Sequence, residues 1–446
     1  MKTLKNIATT GAPLLGAVVA PAQNAASLRD VVRSKVDAEY PNLFELYKNL
    51  HAHPELSFQE EKTASRVAEE LKRAGYQVTT GVGRHGVVGV LKNGGGPTVL
   101  VRTDLDALPV KEQTGLPYAS TVTTKDDTGN EVPVMHACGH DFHMTALIGV
   151  ARVLAQLKDR WQGTLVLIGQ PAEETAGGAR AMLKDGLFRR FPKPDFCLAL
   201  HDKSDLPAGQ LAYTSGLMMA NVDTVDISVR GLGGHGAWPH MTKDPVVLAS
   251  QIVLALQTIV SREIEPGQAA VVTVGSIHGG TKHNIIPDEV KLQLTVRSYT
   301  DEVRQQTLDA IKRIARGQAL AAGVPEDRLP RVTISDQTFN ALFNDPQLTE
   351  RVARTFKSWF GEENVQLAKP TMGGEDFSEY GRTPDQIPIC VFWVGAVNRA
   401  KFEKAERTGK TLPPLHSPFW SPDPEPTIKT GMTAMTAAVL ELTGKM

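Results

Sequence analysis

"GTLVLIGQPAEE", residues 163 to 174, sets an unbroken apolar run against two adjacent carboxylates, Glu173 and Glu174. The run has the length of a strand, is too short for a core helix and stops at Pro171, so it reads as a strand buried on both faces. Two other stretches share this shape. "TVLVRTDLD" (98–106) ends in Arg102, Asp104 and Asp106, and "DFCLALHD" (195–202) ends in His201 and Asp202. A fourth apolar run, "PICVFWVGAV" (388–397), lies near the end of the chain, and "MTALIGVARVLAQLKD" (144–159) has the pattern of a helix. Apolar strands alternating with helices predict an α/β domain. In open α/β sheets, ligands gather outside the carboxyl ends of the strands. Any one of these polar ends alone would read as a solvated loop, but three together point to a site.

The bulk numbers set the class. A chain of 446 residues exceeds the usual growth limit of a single core, so two domains are expected. At 41% hydrophobic, 22% charged and net charge −1, with no long run of one sign, it reads as a soluble globular protein. That balance argues against nucleic acid or an acidic membrane surface as the main partner. Three cysteines, Cys138, Cys197 and Cys390, exclude a disulfide framework. The opening "MKTLKNIATTGAPLLGAVVAPAQNA" places Lys2 and Lys5 before a short uncharged stretch and Ala20-Pro21-Ala22. This resembles a signal peptide over residues 1–22 and predicts export to the periplasm or the medium. No other apolar run is expected to cross a bilayer.

Along the chain, a helix is expected to about Leu50 and another from about Glu60 to Ala74, closed by Gly75. Residues 222 to 337 have an order of their own. "VDTVDISVRG", a helix over 245–262, "QAAVVTVGSIHGG", "EVKLQLTVRS", a helix over 301–322 and "RVTISDQ" spell β-α-β-β-α-β, a ferredoxin-like α+β unit. It is read as an insertion over 218–338, dividing a catalytic domain into 26–217 and 339–446, with hinges near Met218 to Asn221 and Gln337 to Asn340.

"HACGHDFH" (136–143) crowds three histidines, a cysteine and an aspartate into eight positions. Thiolate and imidazole suit zinc-like ions, so a metal is the leading reading; a buried cysteine at a helix start flanked by packed histidines is the other.

With "HAHPELSFQE" (51–60), "RTDLDALPV" (102–110), "QPAEE" (170–174), "GGHGAWPH" (233–240), "NIIPD" (284–288), "GGEDFSEY" (373–380) and "LHSPFW" (415–420), the chain resembles the dinuclear-metal amidohydrolases. These include hippurate hydrolases, N-acyl-amino-acid amidohydrolases and carboxypeptidase-like enzymes. The resemblance runs from about residue 40 to about 440. It implies a zinc-exopeptidase-like catalytic domain with a mixed central sheet, and a lid that also serves dimerisation. It further implies two divalent ions, Zn or Mn with Co or Ni as alternatives, held by Cys138, His140, Glu174, His201 and His416. The implied activity is cleavage of N-acyl or N-aroyl amino acids by a metal-bridging water, with Glu173 as general base; the alternatives are a carboxypeptidase or dipeptidase, or a non-catalytic binding protein. Asp104 would orient a ligand or the water, and the lid's His235 would donate to the oxyanion. Asn284 and Arg297 are candidates for holding the substrate carboxylate, an exposed ion pair being the other reading of Arg297. Arg102 stands where related exopeptidases carry a histidine ligand. His51, His53, His136 and His143 are read as structural, and Glu375 and Asp376 as shaping their loop. Trp238, Phe339, Phe377 and Trp420 hint at aromatic-lined surfaces, although such residues are more often core.

Overall fold

The computed structural model describes residues 27–445; the segment read as a signal peptide lies outside the described residues. The apolar runs form neighbouring strands of an eight-stranded sheet, in the order Gln77–Val82, Gly86–Asn93, Gly163–Gln170, Thr98–Asp104, Phe196–Pro207, Ile389–Val397, Leu211–Tyr213, Val365–Leu367. Strand Thr98–Asp104 runs parallel to both of its neighbours, while Gly86–Asn93 and Leu211–Tyr213 pair antiparallel with the central strands, so the sheet is mixed. Alternation along the strands explains burial on both faces. Val99, Val101, Leu165 and Leu167 enter one core with the helices Leu28–Ala52, His140–Gln156 and Pro424–Thr443. Leu100, Val166 and Ile168 enter a second core on the opposite face with Met182, Phe377 and Tyr380.

Register places the polar ends together. Asp104 pairs with Gln170, and Arg102 pairs with Ala199, which brings Asp104 level with His201. The third strand does not stop at Asp202 as its pattern suggested. It continues to Pro207, because its partner Ile389–Val397 extends alongside it, pairing Trp393 with His201. His201 is therefore held inside a strand, where its backbone is fixed by the ladder.

Residues 221–334 build a separate four-stranded antiparallel sheet, ordered Ala270–Gly279, Glu289–Ser298, Asn221–Arg230, Arg331–Ile334. In Glu289–Ser298, Val290, Leu292, Leu294 and Val296 face the helices Pro245–Thr258 and Asp301–Ala321, and Lys291 and Gln293 are exposed. The first helix ends at Thr258 and continues as one π-type turn, Ile259–Glu263. By length and composition Pro245–Glu263 would suffice to cross a bilayer, contrary to the sequence reading. Its Leu248, Ala249, Ile252 and Leu256 instead pack into the core of this unit, while Val246, Val247 and Leu254 stay exposed. The two chain crossings at the base of the unit bond to each other, Val222 N–H to Phe339 O at 3.0 Å and Phe339 N–H to Val222 O at 3.1 Å.

Candidate metal centre

Four separate segments of the chain deliver the candidate ligands. Cys138 stands in the turn before the helix His140–Gln156, and His140 is that helix's first residue. Gly139 between them has φ +75°, and a Cβ there would lie 2.5 Å from the Asp202 carboxylate, so the close approach requires glycine. Glu173 and Glu174 follow the strand Gly163–Gln170; His201 comes from Phe196–Pro207. His416, from the connection before the last helix, adopts φ +67° and donates its backbone N–H to Ala137 O at 2.8 Å. Left-handed backbone at a non-glycine residue is strain of the kind found at functional sites.

These side chains converge. Cys138 Sγ lies 3.3 Å from His416 Nε2 and 3.7 Å from His201 Nε2. His140 Nε2 lies 3.8 Å from Glu174 Oε1, 3.9 Å from Glu173 Oε2 and 3.6 Å from Asp104 Oδ2. His416 Nε2 lies 3.7 Å from Glu174 Oε2. Both His140 and His201 use Nδ1 on a backbone carbonyl, of Asp106 and Asp202 respectively, at 2.8 Å. That fixes the tautomer in which Nε2 turns its lone pair inward, as in metal-binding histidines. His140 Nε2 and Glu174 Oε1 are buried without a hydrogen-bond partner, although buried polar atoms are normally paired. Cys138, His140 and His201 form one group with donor atoms close enough for a common ion, and Cys138, Glu174 and His416 another sharing the thiol. The donor set therefore fits two cations, which Cys138, His140, Glu174, His201 and His416 would hold.

The electrostatics agree. Burial, then Glu375 and Glu174, push the Glu173 carboxyl well above the usual range, and burial carries Glu174 to about 7 against the pull of His140. Burial opposes a charge on His140, yet Asp104 and Asp106 raise its imidazole well above the ordinary value. Burial and the neighbouring Glu174 likewise push the Cys138 thiol up. Burial is the first cause that disfavours charge on Glu173, Glu174 and Cys138, a preference that bound divalent cations would invert by ionising the thiol.

The surroundings hold residues that local reading did not connect. Arg102 is buried and pairs with Asp104 at 2.7 Å, Glu375 at 2.9 Å and Asp376 at 3.2 Å, and donates to Gln170 at 3.1 Å. His143 is held between Asp104 at 2.8 Å and Asp202 at 3.1 Å. Asp106 accepts from the Ser57 hydroxyl and from the Glu174 N–H. Buried His51 joins Asp141 at 2.6 Å to Glu112 at 3.0 Å, whereas His53 is exposed and its ring bonds to Asn49 O of the preceding helix. His136 is buried with neither ring nitrogen bonded, and burial lowers it to about 4.

A cleft of about 500 Å³ opens onto Cys138, Glu173, Glu174, His201 and His416, with Met219, Val222, Phe339, Trp393 and Leu415 as its apolar walls. Arg297 reaches this cleft from the inserted unit. It is not an exposed ion-pair partner: it is half-buried and bonded to Thr295 Oγ1 and Met372 O, both at 3.0 Å. His235 and Asn284 are placed elsewhere. His235 pairs with Ile285 on the ribbon Gly234–His235 and Ile285–Ile286, and Asn284 just before it accepts the Gly236 N–H at 2.9 Å; both are exposed and outside the cleft lining. Of the four aromatic residues, Phe339 lines the cleft, Phe377 and Trp420 are core, and Trp238 is exposed beside His235.

Comparison with known proteins agrees with this geometry. A hippurate hydrolase of Campylobacter jejuni is 40% identical over 330 residues, covering 74% of this chain and 82% of its own. Thermostable carboxypeptidase 1 of Saccharolobus solfataricus is 36% identical over 363 residues, covering 80% and 87%. Among solved structures, the Bacillus subtilis YXEP protein, a dinuclear metal binding peptidase from the M20 family, superposes with a TM-score of 0.71 at 29% identity, covering 91% of this chain and 99% of that one. The profile of Peptidase family M20/M25/M40 matches residues 100–408, and the chain belongs to that family of metal-dependent hydrolases.

Proposed function

We propose that the protein hydrolyses the amide bond of N-acyl or N-aroyl amino acids. The observation that carries this is a single cleft lined by four of the five candidate ligands, by Glu173 and by Arg297, a guanidinium with no carboxylate partner among the described residues. With Nε and Nη1 committed to Thr295 and Met372, Arg297 keeps Nη2 for a substrate carboxylate. Cys138, His140, Glu174, His201 and His416 would hold two divalent ions, Zn or Mn, with Co or Ni as alternatives. Such ions supply Lewis-acid polarisation of a carbonyl and acidify water. Glu173 takes the proton from the attacking water and delivers it to the leaving nitrogen, a role suited to a buried carboxyl whose proton affinity is already raised. Asp104, bonded to Arg102 and His143, orients rather than reacts. The relative named hippurate hydrolase supports the substrate class.

His235 and Asn284 reach a cleft only if the inserted unit closes or a second copy provides them. A homodimer through the exposed Val246, Val247 and Leu254 of the lid helix and the edge strand Ala270–Gly279 is proposed on that ground. Export rests on the sequence of residues 1–22 alone.

A second reading, carboxypeptidase or dipeptidase action, is favoured by one feature. The cleft shares Lys203, Asp205 and Thr371 with a further cavity of about 580 Å³, which leaves room for a longer acyl-side peptide. The test compares N-benzoyl and N-acetyl amino acids, their C-terminal carboxamides and dipeptides, in wild type and Arg297→Met. Free acids should be preferred, and the substitution should erase that preference by raising the Michaelis constant roughly 10- to 100-fold, as for a lost charged hydrogen bond. Equal turnover of acids and carboxamides by wild type would overturn the carboxylate reading, and dipeptides outpacing every N-acyl substrate would establish the second.

A further inference from the structure

The stretch "HPELSFQE" (53–60) contributes no side chain to the cluster or the cleft. Its Glu55 caps the following helix, accepting from Lys62 N–H and Thr63 N–H. Glu60 does something different. Its fully buried carboxylate accepts the Phe58 N–H at 2.8 Å and the Ala172 N–H at 2.7 Å through the same oxygen. Ala172 immediately precedes Glu173 and sits at φ +49°, a conformation that side chains of L-residues disfavour. On the other side of Glu173, the Glu174 N–H is held by Asp106 at 3.0 Å, and the same Asp106 oxygen is bonded to Ser57 at 2.7 Å. The two backbone N–H groups flanking Glu173 are thus each tied to a buried carboxylate, and both ties lead back to residues 57–60. The turn is closed by Gly177 and Gly178, whose N–H groups both bond to Ala172 O, at 3.1 and 3.0 Å.

We propose that Glu60 is a positioning residue, which with Ser57 and Asp106 holds the left-handed turn at Ala172 so that Glu173 faces the scissile amide. Glu60 acts through Ala172 and touches no substrate, and the inference rests on the reading of Glu173 as the proton carrier. A catalytic group displaced by about 1 Å can lose on the order of 100-fold in rate, which sets the scale.

The experiment uses the full chain reconstituted with Mn or Zn. It measures kcat, KM and bound metal for Glu60→Ala, Glu60→Gln, Glu60→Ala/Ala172→Gly and Glu173→Gln. Glu60→Ala should lower kcat roughly 10- to 100-fold with KM and metal content unchanged. Glu60→Gln keeps an acceptor oxygen for both N–H groups and should stay within about threefold of wild type. Ala172→Gly lets the turn adopt its positive φ without strain and should restore part of the loss. Should Glu60→Ala fail to fold, Glu60→Asp, too short to span to Ala172, carries the same expectation. Glu60→Gln as slow as Glu60→Ala, metal lost in step with kcat, or Glu60→Ala at wild-type kcat beside an inactive Glu173→Gln would each overturn the brace. An active Glu173→Gln would overturn the base assignment and this inference with it.

Discussion

Replacing Arg102 by Met removes the one guanidinium among three buried carboxylates. The side chains of Arg102, Asp104, Glu375 and Asp376 are all almost wholly excluded from water, and the pairs span 2.7 to 3.2 Å. Methionine fills similar volume, so the loss is electrostatic rather than a cavity. Removing one partner of a buried ion pair costs ~3–5 kcal/mol, because the other is left uncompensated. Asp376, which burial already raises to about 8, takes up a proton and escapes that penalty. Asp104 is held in its charged form by His140 and His143 as well as by Arg102, against burial, so it keeps partners, and Glu375, whose only ion-pair partner among the described residues is Arg102, is the carboxylate left uncompensated. The expected loss is therefore that of one orphaned pair, ~3–5 kcal/mol, out of a total that for folded domains is only ~5–15 kcal/mol. Urea unfolding of metal-stripped protein, followed by the fluorescence of buried Trp161 and Trp393, measures it. Adding Glu375→Gln should return ~0.5–3 kcal/mol, the range of coupling between contacting residues. A loss below about 1 kcal/mol, or strictly additive effects in the double mutant, would refute the view that this network holds the base of the site.

The other expectations concern the cluster, the lid and pH. Cys138→Ser should lower bound metal, measured by elemental analysis, together with turnover, because a hydroxyl stays protonated where a thiol ionises against cations; full occupancy would make Cys138 a packing residue. His235→Ala should keep its metal and lose about 10²–10³-fold in kcat, the cost of a lost oxyanion donor; an unchanged kcat demotes it. Mixing His235→Ala with Glu173→Gln subunits should restore activity only if one copy lends His235 to the other's cleft. Burial opposes a charge on His51, but Asp141 and Glu112 raise it from 6.5 to about 10. A raised folded value means the stabilisation is complete below about 6.5 and is lost as pH climbs through about 10. The stability gap between wild type and His51→Gln should therefore shrink from pH 6 to pH 10 in urea titrations, and a constant gap would refute it.

The sequence by itself determined the parts that depend on short-range pattern. Apolar runs with polar ends at Asp104, Glu173 and His201 identified buried strands feeding one edge, and the alternation of "EVKLQLTVRS" identified a strand with one wet face. The stretch 136–143 was legible as a candidate metal site because a thiol and three imidazoles crowd into eight positions, whereas the choice of Cys138 and His140 within it came from resemblance to a family. His416, 215 positions beyond His201, could be joined to them only through resemblance to a family, since no local pattern spans that distance. Tertiary structure alone decided the rest. That Arg102 spends its charge on Glu375 and Asp376 follows from where the loop before the helix Ser378–Gly381 meets the sheet, and that Glu60 and Asp106 grip the two sides of Glu173 follows from how residues 57–60 pack under the turn. Likewise only the fold separates Arg297, which enters the cleft, from Asn284 and His235, which do not. A side chain's type limits what it can bond to, but which partners it meets is set by the register and crossing of elements far apart in the chain.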